Sequence, residues 1–421
     1  MLIIKNIGQM VTLRTGPAPR RSSDMSELGI IENGAILVRA ERIVWVGPTR
    51  DLPVRAPDDR YQTFDGVGLD LVALPGFVDS HTHPVFGGTR ALEYDLRSQG
   101  KTYQEIAAAG GGIRASVRQL RASSPEQLAD RAEGHFHQFL DHGTTTIEAK
   151  SGYGLSLEDE IKILRVLAAL RGRCKLETYS TFLGAHDVPD ELRGDRAEYV
   201  RRIVEEMIPR VAQEQLAHFC DVFCDEGYFT VAESRAILTA ASAAGLRLRM
   251  HAEQLAHSGG ARLAAELSAL SADHLEYIDD GDIEALRQAG TVATLVPGST
   301  FNLGLTRYPP ARRLIDAGVP VALATDFNPG SCFTLNMQLI LSIACSQMRM
   351  TPAEAITAAT INAAHSLGLS DRLGSLEEGK QADIVLMNVA DYREIPYFFG
   401  VNHCVMTVKK GTILLNRLER T

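Results

Sequence analysis

From residue 71 to about residue 330 the chain alternates between two patterns of apolar positions. Short apolar runs give way to longer stretches in which apolar residues recur every three or four positions. Eight short runs can be counted: "LVALPGFVDSH", "TTTIEAKS", "KLETYSTFLGAH", "CDVFCDEG", "LRLRMHAEQ", "SADHLEYI", "TVATLVPG" and "VPVALATDFNPG". Segments of helical period, such as "SLEDEIKILRVLAALRG" at 156–172 and "VAESRAILTAASAAG" at 231–245, lie between most of them. Near-continuous apolar strands separated by helices predict a parallel sheet. Eight strands over about 250 residues match a (β/α)8, TIM-like barrel. A doubly wound open sheet is the competing arrangement. It would want a glycine fingerprint after its first strand, and "HPVFGGTR" lacks GxGxxG.

The two ends read differently. "LIIKNI" and "GAILVRAERIVWVG" near the start are short β segments followed by a Pro- and Asp-rich loop, and "ADIVLMNV" and "CVMTVKKGTILL" near the end look similar. They predict a composite β-sandwich from residues 1–71 and 371–421, with the barrel over 72–370.

Composition narrows the class without naming it. A chain of 421 residues is long enough for a large barrel with additions. Apolar residues at 45% and charged residues at 23% are ordinary for a soluble globular protein. The net charge is −9 and no Lys/Arg-rich stretch stands out, which argues against a nucleic-acid partner. No apolar run reaches the roughly 18 residues of a membrane span. "MLIIKNIGQMVTL" is broken by Lys5 and Asn6 and has no cleavage-like site, so it does not read as a signal peptide. Six cysteines are sparse, and Cys220 and Cys224 have no second pair to complete a zinc site. A reduced, cytoplasmic protein is expected.

Polar letters collect at the C-terminal ends of the predicted barrel strands, where barrel enzymes keep their chemistry. His81 and His83 follow strand 1, Tyr153 strand 2 and His186 strand 3. His251 lies on strand 5, His274 on strand 6 and Asp326 on strand 8. In a strand, residues i and i+2 point to the same side, so His81 and His83 aim together into the mouth. His135 and His137 have the same spacing, but "SPEQLADRAEGHFHQFLDHG" has helical period with a Ser/Pro start. Two residues apart on a helix diverge, so that pair is a packing or solvated face. Alone, His251 reads as a core histidine and Asp326 as a helix N-cap. Together with His81 and His83 they supply three imidazoles and one carboxylate, a set suited to Zn or Fe with a position left for water.

These residues resemble the amidohydrolase superfamily in its mononuclear-metal pattern. Within it, "LPGFVDSHTHPVFGGTR", "GTTTIEAKSGYGL", "STFLGAH", "SADHL", "LATDFNPGS" and "PYFFGVNH" look like the imidazolonepropionase family, over nearly the whole chain. The resemblance implies hydrolysis of a cyclic amide, 4-imidazolone-5-propanoate, to N-formimidoyl-L-glutamate. It implies one divalent or trivalent ion, Zn or Fe, held by His81, His83, His251 and Asp326. Asp326 would hold or accept the water proton, and His274 would face the carbonyl oxygen or move a proton. Relatives with two metals use a modified lysine on strand 4, and "CDVFCDEG" has none; Lys150, ending strand 2, reads as structural. For a small substrate with a carboxylate, Arg90 matches the family position, and an arginine can grip a carboxylate with two N–H groups. Tyr153 and His186 match substrate contacts, and Asn328, Gly330 and Ser331 match a loop holding substrate. The plain reading of that loop is a turn.

One position departs from the pattern. Deaminases of the superfamily place a glutamate three residues after the strand-5 histidine as proton shuttle, and some imidazolonepropionases have a carboxylate there. This chain has Gln254, which cannot shuttle protons and reads as substrate-orienting. Proton transfer then falls to Asp326 and His274, with Glu253 a third candidate on the side of His251. A heterocycle deaminase and a non-catalytic scaffold are the competing readings. Gln254 and Arg90 speak against the first, and the intact ligand set against the second. Oligomeric state is not readable from the residues; the family suggests a homodimer.

Overall fold

The computed structural model describes residues 1–53, 61–101, 105–106 and 110–418. The Pro- and Asp-rich loop expected after the first β segments falls largely at 54–60, outside the described residues.

Two eight-stranded sheets organise the chain. One gathers β1 (Leu2–Val11), β2 (Ile30–Arg39), β3 (Arg42–Pro48), β4 (Gln62–Asp65) and β5 (Val72–Pro75) with strands from the far end. The other is the barrel: β6 (Phe77–Asp79), β7 (Thr144–Lys150), β8 (Glu177–Ala185), β9 (Phe219–Cys224), β10 (Arg247–Ala252), β11 (Ser271–His274), β12 (Val292–Leu295) and β13 (Val321–Leu323). The far-end strands are β14 (Ile384–Met387), β15 (Cys404–Lys409) and β16 (Thr412–Asn416). Barrel strands pair in parallel and in chain order, each with the next. All eight predicted runs are found there, with helices between. The helix Leu157–Arg173 starts at Ser156, whose side chain accepts from Asp159 N, and Val231–Ala243 starts at a Thr230/Glu233 capping box.

The terminal sheet is mixed and sandwich-like, with strand order β16-β15-β14-β5-β1-β2-β3 and β4 also on β1. The chain ends meet in it through β5, which pairs with β1 on one side and β14 on the other. So "LVALPGFVDSH", read as one barrel strand, is shared: Val72–Pro75 serves the terminal sheet and Phe77–Asp79 opens the barrel. Alternation sorts its side chains. Leu71 and Ala73 join the sheet's own core with Ile384 and Leu386, while Val72 and Leu74 join the main core with Val385 and Met387.

The helix Pro125–Asp141 covers part of that face, with Phe136, Phe139 and Leu140 in the main core. Its Ser124 capping box matches the expected Ser/Pro start. His135 is buried, stacked on Phe86 with ring centroids 4.9 Å apart and its Nδ1 3.1 Å from Pro84 O, while His137 is exposed. The two diverge, as the helical period predicts. Cys220 and Cys224 are buried on β9.

Candidate active site

Barrel closure brings the ligand candidates together. Asp326 N donates to His81 O (3.0 Å) and His83 N to Phe327 O (2.8 Å), joining the segments just beyond β6 and β13. Nearer the barrel floor the Asp79 carboxyl spans the seam, accepting from Thr325 N (3.0 Å) and Thr325 Oγ1 (2.6 Å).

One nitrogen each from His81, His83 and His251 lie within 4.8 Å of one another, and the same holds for atoms of His81, His274 and Asp326. His81 Nε2 and His83 Nε2 stand 3.6 and 3.5 Å from Asp326 Oδ1. Two imidazoles are oriented from behind. His81 Nδ1 pairs with Asp273 Oδ2 at 2.7 Å, and His251 Nδ1 lies 3.0 Å from Asp221 Oδ2. A histidine held this way on Nδ1 presents the Nε2 lone pair. His81 Nε2 is buried without a hydrogen-bond partner, a state that a cation would satisfy.

Protonation fits as well. Burial, and then the Lys150 charge, holds the His81 imidazole well below its ordinary range; burial, and then His186, does the same for His83. Both rings are therefore neutral and able to ligate. Burial pushes the Asp326 carboxyl up to about 7, which a neighbouring cation would reverse. These side chains fit a single metal ion.

The other candidates surround this point unequally. Tyr153 and His186 have ring centroids 5.9 and 5.2 Å from that of His83. His186 Nδ1 pairs with Gly152 O at 3.0 Å, and Gly152 has φ of 107° with a Cβ position only 2.9 Å from that nitrogen, so glycine is required. Arg90 precedes the helix Ala91–Ser98 and pairs with Glu93 at 2.7 Å, but its Nε is buried without a partner. Its Nη1 lies directly against Gly330, where a Cβ would collide with it. Asn328 shapes that loop: Oδ1 accepts from Gly330 N (2.8 Å) and Ser331 N (2.7 Å), and Nδ2 donates to Asp326 O (2.7 Å) and Ser331 Oγ (2.8 Å). Ser331 Oγ lies 3.4 Å from Asp326 Oδ2. Gln254 is half-buried, its backbone N donating to Asp225 Oδ2 at 2.7 Å.

Glu253 does not follow strand alternation. Its φ of 55° bends the chain at the end of β10. Its carboxylate oxygens accept from Ser258 N (2.6 Å) and Ala261 N (3.1 Å), tying it to the next loop rather than to the candidate metal ligands.

Sequence reading took Lys150 as structural but missed the other charges beneath the candidate ligands. Lys150 Nζ is 2.8 Å from Glu148 Oε1, 2.7 Å from Asp221 Oδ2 and 3.8 Å from Asp273 Oδ2. Arg249 Nη2 is 3.2 Å from Asp273 Oδ2, and all five side chains are fully buried. The available signal was charged letters inside apolar parallel strands, where a charge must find a partner.

The amidohydrolase family profile matches residues 72–414, and the chain belongs to that family. A profile described as an imidazolonepropionase-like composite domain of bacteria matches residues 34–58. The chain is 52% identical to an imidazolonepropionase of Solibacter usitatus, over 94% of each chain. It is 48% identical to one of Geobacillus kaustophilus, over 99% of this chain and 98% of that one. Within the amidohydrolases, this is a member of the imidazolonepropionase family. A zinc-bound adenosine deaminase from Xanthomonas campestris shares the fold, with a TM-score of 0.70 at 20% identity over 99% of this chain and 93% of that one.

Proposed function

We propose that the chain hydrolyses the ring amide of 4-imidazolone-5-propanoate to N-formimidoyl-L-glutamate. The observation that carries this reading is the convergence of His81, His83, His251 and Asp326, with Arg90 packed on Gly330 in the loop that follows Asp326, in a chain of this family. When bound, a Zn or Fe ion lowers the pKa of a water from about 15.7 toward about 7.

The side chains supply the rest. Arg90, packed on Gly330, takes the propanoate carboxylate, and Asn328 holds the loop so that Ser331 and Gly330 border that grip. Tyr153, kept protonated by burial, and His186 contact the substrate on the other side. Asp326 accepts the water proton, and His274 faces the carbonyl oxygen. As the water oxygen bonds the carbonyl carbon, the ring C–N bond breaks. The nitrogen takes the proton held by Asp326, the carbonyl carbon stays in the opened molecule as a new carboxylate, and the second proton of the water is released to solvent. Gln254 orients the substrate. Glu253, held in the next loop by the backbone N–H groups of Ser258 and Ala261, is assigned no step.

Freshly made imidazolone propanoate provides the test. Loss of its ultraviolet absorbance with N-formimidoyl-L-glutamate as product is expected, on a protein carrying about one Zn or Fe per chain. Ammonia as the first product, or a metal-free active protein, would overturn the reading.

Two further expectations belong to it. A reducing cytoplasm fits six unpaired cysteines. A homodimer fits the exposed Tyr397, Phe399 and Phe301, which line one surface groove of about 640 Å³. Light scattering should give a dimer, and Phe399→Glu should shift it toward monomer.

A further inference from the structure

The link between β11 and the following loop has an unusual backbone. His274 ends the strand with φ of 79°, and Leu275 follows with φ of 74°. Non-glycine residues adopt the left-handed region in only a few per cent of cases, and two in succession are rarer. The turn is held from β10: Leu275 N donates to Ala252 O (3.1 Å) and Tyr277 N to Glu253 O (2.8 Å). Its result is that Glu276 comes back against the ring of His274, with Oε1 4.0 Å from Nδ1.

Glu276 is gripped from the segment after β12. Thr300 Oγ1 donates to its Oε1 at 3.2 Å, and Arg307 Nε donates to its backbone O at 2.9 Å. Yet Glu276 Oε2 and His274 Nδ1 are both buried with no hydrogen-bond partner. The carboxyl and the ring thus face each other, and each holds one buried atom in need of a partner. Both atoms are enclosed, so neither is the one that meets substrate; on His274 that leaves Nε2.

We propose that Glu276 is a positioning residue for His274, engaging Nδ1 so that Nε2 carries the ring proton and faces the substrate carbonyl. The inference rests on the role given to His274 above. A neutral imidazole that accepts a hydrogen bond at Nδ1 must hold its proton on Nε2. The Glu276 carboxyl is enclosed with no Lys or Arg group paired to it among the described residues, and burial pushes it up to about 8, so it can donate to Nδ1. A neutral acid donating to a neutral imidazole orients the ring without adding charge beside the metal ligands.

Nitrogen-15 NMR of the metal-loaded protein tests this, with His274→Ala assigning the signal. The wild type should show His274 with the proton on Nε2. Glu276→Leu should lose that single tautomer and lower kcat by about 10- to 100-fold with KM little changed. Glu276→Gln, whose amide still donates, should keep the tautomer and most of the turnover. Should Glu276→Leu not fold, Thr300→Val loosens the same carboxyl and should shift the His274 signal in the same direction. An unchanged tautomer and kcat in Glu276→Leu would overturn the proposal, as would a Glu276→Gln protein as impaired as Glu276→Leu. Full activity in His274→Ala would instead remove the role of His274, while the tautomer signal still decides the Glu276 contact.

Discussion

Both ends of the barrel are crowded with buried charge, and they differ in whether it is matched. At the floor, Lys409 Nζ lies 2.8 Å from Glu177 Oε2 and 2.7 Å from Asp383 Oδ2, and Arg372 Nη2 lies 2.6 Å from Glu177 Oε1. Gln381 Nε2 donates to both acids, at 2.9 and 2.8 Å. Burial would raise the Glu177 carboxyl, but Lys409 and Arg372 outweigh it and hold it low. At the mouth, by contrast, His81 Nε2, His83 Nδ1 and Arg90 Nε are buried without partners. The floor cluster is complete and joins the terminal sheet to the barrel. The mouth cluster is incomplete and reserves its polar atoms for something the chain does not supply. Of these two clusters, the unmatched one lies at the C-terminal end of the strands, where barrel enzymes keep their chemistry.

Substitutions can break this contrast. The largest effect is expected for His251→Ala, with bound metal lost and turnover reduced about 1000-fold or more while circular dichroism is unchanged. Metal analysis beside a rate assay reads both. Next, Lys409→Met leaves the buried Asp383 without a cation and Glu177 with Arg372 alone, and should lower the free energy of unfolding by about 3–5 kcal/mol. Urea titration measures it; if metal is lost in parallel, the two ends are not separate in kind. Arg90→Ala should raise KM about 10- to 100-fold at unchanged metal content, from the loss of charged hydrogen bonds. Equal loss of metal would give Arg90 a different role. The smallest effect is expected for Asp273→Asn, which removes the charge behind His81 and should weaken metal binding about 10-fold in competition with a chelator.

The barrel was legible because each parallel strand is a short apolar run and each intervening helix has its own period. The same periods separated His81 and His83 from His135 and His137. Legibility failed where local backbone overrode alternation. Nothing in "HAEQ" announces the positive φ that turns Glu253 away. It failed again where partners lie far apart in the chain. Lys150 meets Asp221 and Asp273 only because β7, β9 and β11 surround one axis. In "DFNPGS", turn chemistry was visible, but the use of the Asn328 amide within the loop, and the contact of Arg90 with Gly330, needed coordinates.

The passage from β5 into β6 links metal loading to the order of synthesis. His81 and His83 leave the ribosome early, yet β5, which leads into their strand, gains its second neighbour only when residues 384–387 emerge. The seam partners Thr325, Asp326 and Phe327 also arrive late. Through most of translation the two imidazoles precede an unfinished sheet edge and an open barrel, a stage at which chaperones would meet the chain. On this order the ion should be acquired only after the last strands dock, and a chain truncated before β14 should be recovered without metal even though His81, His83, His251 and Asp326 are all present.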